Sequence, residues 1–289
     1  MPIPKILITG ANGQLGNEFR ALEDDFPGYE FIFLSREELS INDAASVQKV
    51  FTEHAPQWCI NCAAYTAVDK AETEREQAMA INGEAAGILA AASKALNARF
   101  VHISTDYVFD GSSSVPYREN DATGPINTYG HSKLLGEQLV QRHNPDAIII
   151  RTAWVYSVFG NNFVKTMMRL MKERESINVV SDQHGSPTYA ADLAKAIMHI
   201  IRSSSNTSGI FHYSNEGETN WFEFASAIKE LIGSTCQVNP IPSSQYPTPA
   251  KRPQYSLLDK TKIRSTFNLE IPYWKDSLDL CLSRLTSPK

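Results

Sequence analysis

The sequence predicts an α/β fold in which a doubly wound parallel sheet carries a smaller, mixed α/β lobe at its C-terminal end. Two observations lead to this fold class. Short apolar runs alternate with amphipathic stretches through the first half of the chain, and a glycine-rich turn follows the first apolar run. Strands that alternate with helices are typical of βαβ units, whose right-handed crossovers build a parallel sheet covered on both faces.

The elements of the first half follow from this alternation in order. Short apolar runs predict strands at residues 5–9, 31–34, 59–64, 100–104 and 147–151. Amphipathic or alanine-rich stretches between them predict helices at residues 14–22, 44–54, 78–96 and 129–142. Each predicted strand but the last is therefore followed by a helix before the next strand begins, as a doubly wound sheet requires.

The alternation weakens after residue 154. Predicted strands at residues 177–180, 210–213 and 238–241 are mixed with predicted helices at residues 163–172, 192–202, 221–232 and 276–285. Residues 240–253 contain five prolines, which favours an extended connector. We expect one domain at residues 1–153 and a lobe at residues 154–289, with segments between about 177 and 215 returning to the main sheet.

Composition excludes several classes of protein. The 289 residues include 27 Lys and Arg against 32 Asp and Glu, a formal net charge of −5, whereas nucleic acids and anionic membranes attract basic surfaces. No run approaches the roughly 18 apolar residues of a membrane span.

Of the cysteines Cys59, Cys62, Cys236 and Cys281, the first two form a CxxC pair within a predicted strand. We expect reduced thiols without a metal, and a cytoplasmic location.

The glycine-rich turn ITGANGQLG places Gly10, Gly13 and Gly16 after the first predicted strand and at the start of the first predicted helix. Glycines here allow a tight turn, close approach of the backbone to a pyrophosphate, and close packing of helix against sheet. The free N–H groups and the dipole of the helix start then attract the anion. The spacing is GxxGxxG and differs from the commonest GxGxxG, but its position predicts a Rossmann-type dinucleotide-binding domain at residues 1–153.

The end of the second predicted strand bears on the choice of dinucleotide. A carboxylate usually binds the ribose hydroxyls there, whereas this chain has Ser35 and Arg36. An arginine can pair with a ribose phosphate, so the sequence favours NADPH, with NADH as the alternative. Arg36 can equally be a solvated surface residue, in which case either cofactor binds.

A tyrosine and a lysine stand four residues apart in NTYGHSKLLGE, so Tyr129 and Lys133 share one face of a predicted helix. A neighbouring ammonium favours the phenolate and lowers the pKa of a tyrosine, which brings its acid–base chemistry towards neutral pH. Thr105 follows the predicted strand 100–104, at the edge of the sheet where ligands bind. Its hydroxyl can meet both a substrate carbonyl and the phenol, although a threonine here can also simply form a turn.

The glycine turn with Thr105, Tyr129 and Lys133 resembles the extended short-chain dehydrogenase/reductase superfamily. Longer stretches narrow the resemblance, over nearly the whole chain, to reductases of dTDP-linked 4-keto sugars. These stretches are NCAAYTAVDKAE (residues 61–72), STDYVFDG (104–111), RTAWVYS (151–157), DQHGSPTYAADLA (182–194), GIFHYSN (209–215) and RPQYSLLD (252–259).

The resemblance implies hydride transfer from a reduced nicotinamide to a keto carbon. Tyr129 gives the proton to the keto oxygen, Thr105 orients that oxygen, and Lys133 tunes Tyr129. The implied cofactor-binding residues are Gly10, Gly13, Gln14, Leu15, Gly16, Ser35, Arg36, Ser40, Ile41, Ala63, Ala64, Tyr65, Thr66, Tyr129 and Lys133. The implied substrate-binding residues are Thr105, Asp106, Tyr107, Trp154 and Val68, with Asn162 and the connector 240–253 expected to read the nucleotide base. Residues 154–289 are then the substrate-binding lobe.

Two positions depart from the family pattern. Members often carry an acidic residue near the adenosine where this chain has Ser40 and Ile41, which leaves the choice between NADPH and NADH open. Some members form a dimer through Mg²⁺ held by glutamates. Glu18 matches one such position, but Ala191 stands where a second glutamate is expected. We expect no catalytic metal, and either a monomer or a homodimer.

Two alternative functions remain at this point. A nucleotide-sugar epimerase or dehydratase keeps its cofactor bound, but a dehydratase typically follows the strand-end Asp with Glu, whereas Tyr107 follows Asp106 here. A non-catalytic regulatory subunit can also bind a dinucleotide. The intact set of Thr105, Tyr129 and Lys133 favours an enzyme over that reading.

Overall fold

The computed structural model describes residues 3–203 and 206–287. The strands, in chain order, are β1 (Lys5–Thr9), β2 (Glu30–Leu34), β3 (Trp58–Asn61), β4 (Arg99–Thr105), β5 (Ile148–Thr152), β6 (Val155–Tyr156), β7 (Ser176–Val180), β8 (His184–Gly185), β9 (Thr188–Tyr189), β10 (Gly209–His212), β11 (Thr219–Asn220) and β12 (Gln237–Ile241). The α-helices are α1 (Gln14–Leu22), α2 (Ala44–His54), α3 (Arg75–Ala78), α4 (Ala85–Ala95), α5 (Thr128–His143), α6 (Phe163–Glu173), α7 (Ala190–Arg202), α8 (Trp221–Leu231), α9 (Thr261–Phe267) and α10 (Trp274–Thr286).

Within the described ranges, the central sheet has six strands in the order β10-β5-β4-β3-β1-β2. Every neighbouring pair in it is parallel. The predicted fold class, a doubly wound parallel sheet, is confirmed. The strand order reverses between β1 and β3, and ligands bind in the crevice at the carboxyl ends of the strands at such a switch point. The glycine turn directly follows β1 and therefore lies at this crevice.

Alternation along the strands builds a core on each face of the sheet. In β1, Ile6 and Ile8 join the apolar cluster beneath α1 and α7, while Leu7 joins the cluster beneath α2 and α4. Successive side chains of a strand point to opposite faces, so an unbroken apolar run such as the ILI within KILIT suits a strand buried on both sides. The two cores hold the carboxyl ends of the strands at fixed positions.

The C-terminal part has a core of its own, rich in aromatic residues. Tyr156, Phe224 and Trp274 are almost fully buried in it, and the Phe224 and Trp274 rings meet edge to face at 5.7 Å. Short strands pair outside the main sheet, β12 with β7, β11 with β8 and β6 with β9. Strand β10 lies beside β5 in the main sheet, so the chain crosses from the C-terminal part back into the first.

Most predicted elements match the observed ones to within two residues at each end, and two differ by more. The strand predicted at residues 59–64 ends at Asn61, because the Asn61 side chain accepts a hydrogen bond from the Ala63 backbone N–H at 3.1 Å and draws the chain away from the sheet. The helix predicted at residues 78–96 is helical throughout residues 75–95, but Met79–Glu84 winds as a π-helix between α3 and α4.

The structure also bears on the cysteines and on membrane insertion. All of Cys59, Cys62, Cys236 and Cys281 are free thiols. Burial raises the pKa of both Cys59 and Cys62, so the CxxC pair holds neutral thiols. Within the residues that the structure describes, no helix combines the length and the apolarity that crossing a bilayer requires.

Candidate dinucleotide and substrate cleft

A cavity of about 1290 Å³ opens over the carboxyl ends of β1, β3, β4 and β5. This is larger than the roughly 300–1,000 Å³ of a typical small-molecule site, so it has room for two ligands side by side. Its walls come from both parts of the chain. The sequence-predicted residues that line it are Gly10, Gly13, Gln14, Leu15, Arg36, Ser40, Ile41, Ala63, Ala64, Tyr65, Thr66, Val68, Thr105, Asp106, Tyr107, Tyr129, Lys133, Trp154 and Asn162.

The glycine turn has the shape of a phosphate cradle. Gly10 has a φ of 67°, and a Cβ there would lie 2.6 Å from the Ala63 nitrogen. The Gly13 N–H donates to the Gly10 carbonyl at 2.9 Å, which closes the turn. Gly13 is also the residue before α1, and it has no side chain to occupy the free N–H groups of the first helical turn. The backbone there remains open to an anion.

Gly16 and Ser35 are predicted cofactor contacts that the structure does not bring to the cavity. A Cβ on Gly16 would lie 2.5 Å from the Gly10 carbonyl oxygen, so this glycine permits α1 to pack closely on the turn. Ser35 is buried, and its backbone N–H donates to the Glu38 carboxylate at 2.8 Å. Both residues therefore support the walls of the cavity from behind.

The rim at the end of β2 holds the charges that a ribose phosphate would meet. Arg36 is exposed there and lines the cavity, and Ser40 beside it donates to the Asn42 side chain at 2.8 Å. Glu37 also lines the cavity, so the expectation from Ser35 and Arg36 that no carboxylate would meet a ribose phosphate here is wrong. The Glu38 carboxylate is turned towards Ser35. One arginine and one glutamate therefore share this rim.

Thr105 and Tyr129 meet at the centre of the cavity. The Thr105 hydroxyl donates to Asp106 Oδ1 at 3.0 Å and accepts from the Tyr107 N–H at 3.2 Å, so it forms a turn and faces the cavity as well. Burial raises the pKa of Tyr129 to about 12, although a hydrogen bond with Thr105 opposes that rise. A Cβ on Gly130 would overlap the Tyr107 carbonyl oxygen, so only glycine lets α5 approach this closely.

Lys133 follows Tyr129 by one turn of α5, as predicted, but the pKa of Tyr129 lies above its ordinary value because the phenol is buried. Its Nζ donates to the Ile103 carbonyl at 2.5 Å and is directed along β4. Burial lowers the pKa of Lys133 to about 8, while the carboxylate of Glu137 opposes that change. Burial therefore outweighs the other influences on the pKa of Tyr129, and the tuning of the phenol by Lys133 stays a prediction.

The predicted substrate side of the cavity is aromatic. Trp154 stacks on Trp221 with ring centroids 3.7 Å apart, and Tyr107 meets Tyr129 edge to face at 5.7 Å. Trp154 has a φ of 49°, a conformation that costs a non-glycine residue of order 1–3 kcal/mol and is most often found at functional sites. Burial raises the pKa of Asp106 to about 6. Sequence reasoning missed Trp221, which no spacing relates to Trp154.

Asn82 is a second residue that sequence reasoning missed. It lies in the π-helical segment, where its Oδ1 accepts from the Tyr65 N–H at 2.8 Å and its Nδ2 donates to the Tyr65 carbonyl at 3.0 Å. Its Nδ2 also donates to Ser132 Oγ on α5 at 2.9 Å. These bonds fix the loop that follows β3 against α5. Insertions of π-helix often mark functional sites, but no pattern in the sequence predicts one here.

Asn162 and the proline-rich connector were both expected to read the nucleotide base. Only Asn162 lies in the wall of the cavity. Asn162 lines the cavity and donates to the Gln14 side chain at 2.9 Å, which joins α6 to the glycine turn. The residues of the connector 240–253 do not line it within the described structure. The connector is tied to the rim, where Arg252 forms a bidentate ion pair with Asp69 at 2.7 and 2.8 Å.

The glutamate predicted from dimeric, Mg²⁺-bound relatives is held inside its own chain. Glu18 is 1% exposed, and its carboxylate accepts from Ser157 Oγ at 2.6 Å and from Arg284 Nη1 at 2.9 Å. Among the described residues, no group of three or more His, Cys, Asp or Glu side chains is arranged to hold a metal ion.

The fold and the cleft together define the class of protein. A glycine cradle lies at the switch point of a doubly wound sheet, and a hydroxyl, a phenol and an amine converge beyond it, as in dinucleotide-dependent dehydrogenases and reductases. The family model of the RmlD substrate binding domain matches residues 4–287. The chain belongs to this family.

Individual relatives agree over nearly the full length. The dTDP-4-dehydrorhamnose reductase of Burkholderia thailandensis is 42% identical, with 98% of this chain and 99% of that protein covered. The crystal structure of dTDP-4-dehydrorhamnose reductase from Bacillus anthracis in complex with NADP is 41% identical, with a TM-score of 0.94 over 98% of this chain and all of that one. The dTDP-4-keto-6-deoxy-D-glucose reductase of Streptomyces niveus is 39% identical over 94% of each chain. The resemblance predicted from the sequence is confirmed.

Proposed function

We propose that the protein is an NADPH-dependent reductase of the 4-keto group of dTDP-4-dehydro-L-rhamnose, which yields dTDP-L-rhamnose in the last step of its synthesis. The observation that carries the proposal is the convergence of Thr105, Tyr129 and Lys133 in one cavity with the glycine cradle. The relatives named dTDP-4-dehydrorhamnose reductase, such as the one that is 42% identical, support the substrate.

The cavity fits a dinucleotide on its own geometry. A Cβ at Gly10 would fill the cradle, and the first turn of α1 offers backbone N–H groups to a pyrophosphate. Arg36 stands at the rim for a ribose phosphate, and Ala63, Ala64 and Tyr65 form the adjacent wall. When bound, the reduced nicotinamide supplies the hydride. The NADP complex of the Bacillus anthracis relative supports the choice of cofactor.

The chain's own residues then handle the proton. With a pKa of about 12, Tyr129 is a phenol at neutral pH and is therefore a proton donor in the protonation state that ketone reduction needs. It gives its proton to the keto oxygen as the C–H bond forms, and the phenolate left behind takes a proton back from solvent. The Thr105 hydroxyl orients the keto oxygen, and the Lys133 ammonium, one turn away, stabilises the transient negative charge.

The sugar is bound between the two parts of the chain. We assign dinucleotide binding to residues 1–153 and sugar binding to residues 154–289, since the Trp154–Trp221 stack lines the cavity from the C-terminal part. Stacked aromatic rings offer the flat apolar surface on which a deoxysugar ring packs, and the Asp106 carboxyl offers a hydrogen bond to a hydroxyl. Val68 also lines the cavity.

Arg36→Asp is expected to lower the preference for NADPH over NADH, measured as the ratio of kcat/KM values, by about tenfold or more. The change replaces attraction for a ribose phosphate by repulsion, and about 1.4 kcal/mol suffices for tenfold. Glu37→Gln is the matched variant on the same rim and is expected to raise the same ratio. Equal ratios in wild type and Arg36→Asp would contradict a role for Arg36 in recognising the phosphate.

The experiment that tests the proposed function is an assay that follows nicotinamide absorbance with dTDP-4-dehydro-L-rhamnose as substrate. We expect stoichiometric oxidation of NADPH. The 39% identity to a dTDP-4-keto-6-deoxy-D-glucose reductase favours that sugar as a second candidate substrate, and it forms a parallel arm of the assay. An epimerase or dehydratase would convert sugar without net oxidation of NADPH, and a regulatory subunit would bind NADPH without turnover.

We propose further that the protein works in the cytoplasm, and its four free thiols support this location.

We also propose that no Mg²⁺ bridges two copies of the chain at Glu18. Arg284 and Ser157 already donate to the Glu18 carboxylate, and the side chain of Ala191 has no oxygen to offer a metal. Whether the protein is a monomer or a homodimer, its molar mass by light scattering is expected to be the same in Mg²⁺ and in EDTA. A dimer that dissociates in EDTA would overturn this assignment.

A further inference from the structure

Three ionisable side chains follow one another along a single face of α5. Tyr129, Lys133 and Glu137 are spaced four residues apart, so each lies one helical turn beyond the last. The proposed function uses the first two, and the inference drawn from Glu137 rests on that function. Glu137 is 1% exposed and does not line the cavity. A carboxylate buried this deeply is costly unless other groups hold its charge.

The Glu137 carboxylate is held by two neighbouring strands. Arg151 on β5 donates to it through Nε at 2.9 Å and through Nη2 at 2.7 Å. Ser104 on β4 donates to Oε1 at 2.5 Å, and Ser104 lies opposite Arg151 in the sheet. Ser104 precedes Thr105, so the same carboxylate fixes the strand end that presents the Thr105 hydroxyl. The arrangement ties α5 to β4 directly behind the reacting groups.

Glu137 is also the charge partner of Lys133. The other titratable groups around the lysine are neutral at neutral pH, since burial raises the pKa of Cys62 beyond β3 and holds the pKa of His102 on β4 well below its ordinary value. Tyr129, with a pKa of about 12, is neutral as well. Within the described part of the chain, Glu137 is then the one ionised carboxylate that shifts the pKa of Lys133.

We propose that Glu137 is a positioning residue of the reductase, which acts through Lys133 by keeping its buried amine protonated and through Ser104 by fixing the strand end at Thr105. Arg151 on β5 holds the Glu137 carboxylate in place through two hydrogen bonds and balances its negative charge. The ammonium that stabilises the Tyr129 phenolate thus depends on a residue that touches neither cofactor nor sugar.

The consequence is a dependence on pH whose direction follows from the charges. Burial lowers the pKa of Lys133 to about 8, so the ammonium form is present below that pH and is lost as the pH rises through it. The carboxylate of Glu137 favours the ammonium. Without that carboxylate the loss of the ammonium, and with it the alkaline loss of activity, moves to lower pH.

Glu137→Gln tests the proposal through the pH profile of kcat/KM for ketone reduction. We expect the alkaline loss of activity in this variant to occur at a pH about one unit or more below that of the wild type. One unit corresponds to about 1.4 kcal/mol of lost charge interaction. The same shift is expected for the Nζ signal of Lys133 in the NMR spectrum of ¹⁵N-lysine-labelled protein, a readout that needs no turnover. An inactive wild-type protein would refute the proposed function, whereas an active one with an unmoved limb in Glu137→Gln would refute only the role of Glu137.

Matched variants separate this role from a structural one. Arg151→Lys disturbs the same buried ion pair but keeps a cation beside the carboxylate, which therefore stays ionised, and the alkaline limb of this variant is expected to stay in place. Glu137→Gln leaves the Arg151 guanidinium buried without its partner, which destabilises the fold, and the double variant Glu137→Gln with Arg151→Met removes that unpaired charge if the single variant does not fold. The limb of the double variant is expected to move down as well. Alkaline limbs that move together in Glu137→Gln and Arg151→Lys, or a limb that stays in place in the double variant, would overturn the proposal.

Discussion

Tyr129→Phe is expected to lower kcat for ketone reduction by about 10²–10⁴-fold, the range that a positioned acid contributes, while NADPH still binds. The substitution removes the phenolic proton and keeps the ring, so the edge-to-face contact with Tyr107 at 5.7 Å is retained. Steady-state turnover gives the first quantity, and a fluorescence titration with NADPH gives the second.

Tyr273→Phe is the control for this prediction. Tyr273 is 44% exposed and lies before α10, outside the lining of the cavity, so its variant is expected to keep wild-type turnover. If Tyr129→Phe also kept near-normal turnover, the proton would come from another group, and the assignment of the acid would be wrong.

Gly10→Ala is expected to weaken NADPH binding by about tenfold or more and to lower Tm by about 2–8 °C. A residue with a Cβ at a φ of 67° costs about 1–2 kcal/mol, and that cost alone accounts for the change in Tm. The Cβ would also lie 2.6 Å from the Ala63 nitrogen, and the Ala63 N–H is held by the Asn61 side chain at 3.1 Å. The turn has to move away from the wall, which opens the cradle. Fluorescence titration and thermal unfolding measure the two effects.

Gly28→Ala is the matched control, because no atom lies within 4 Å of the Cβ it adds and its backbone is not left-handed. Its NADPH affinity and Tm are expected to stay close to those of the wild type. Wild-type NADPH affinity in Gly10→Ala would show that the turn does not hold the pyrophosphate.

Much of the fold could be predicted from local patterns, because its strands and helices follow from local chemistry. The unbroken apolar run of β1 indicates a strand buried on both faces, and the glycine turn after it indicates the ligand-binding edge. The spacing of Tyr129 and Lys133 predicts one helix face, and both residues line the cavity. Each of these inferences uses residues within a few positions of one another.

The rest of the site depends on contacts between distant parts of the chain. Trp154 and Trp221 stack although 67 positions separate them, and no local pattern pairs them. Lys133 is directed to the Ile103 carbonyl and not to the phenol, a choice that depends on the distance between α5 and β4. Glu137 resembles an ordinary helix-surface residue in the sequence, and only the approach of Arg151 from β5 shows that it is buried.

The central claim is that this cleft brings a nicotinamide hydride and the proton of Tyr129 to one keto carbon and its oxygen. The most direct test is isotopic: dTDP-4-dehydro-L-rhamnose is reduced with NADPH that carries deuterium at the transferable position of its nicotinamide. We expect one deuterium per NADPH oxidised, located on the former keto carbon of dTDP-L-rhamnose. Product without deuterium at that carbon, or sugar converted while NADPH is not consumed, would contradict the account.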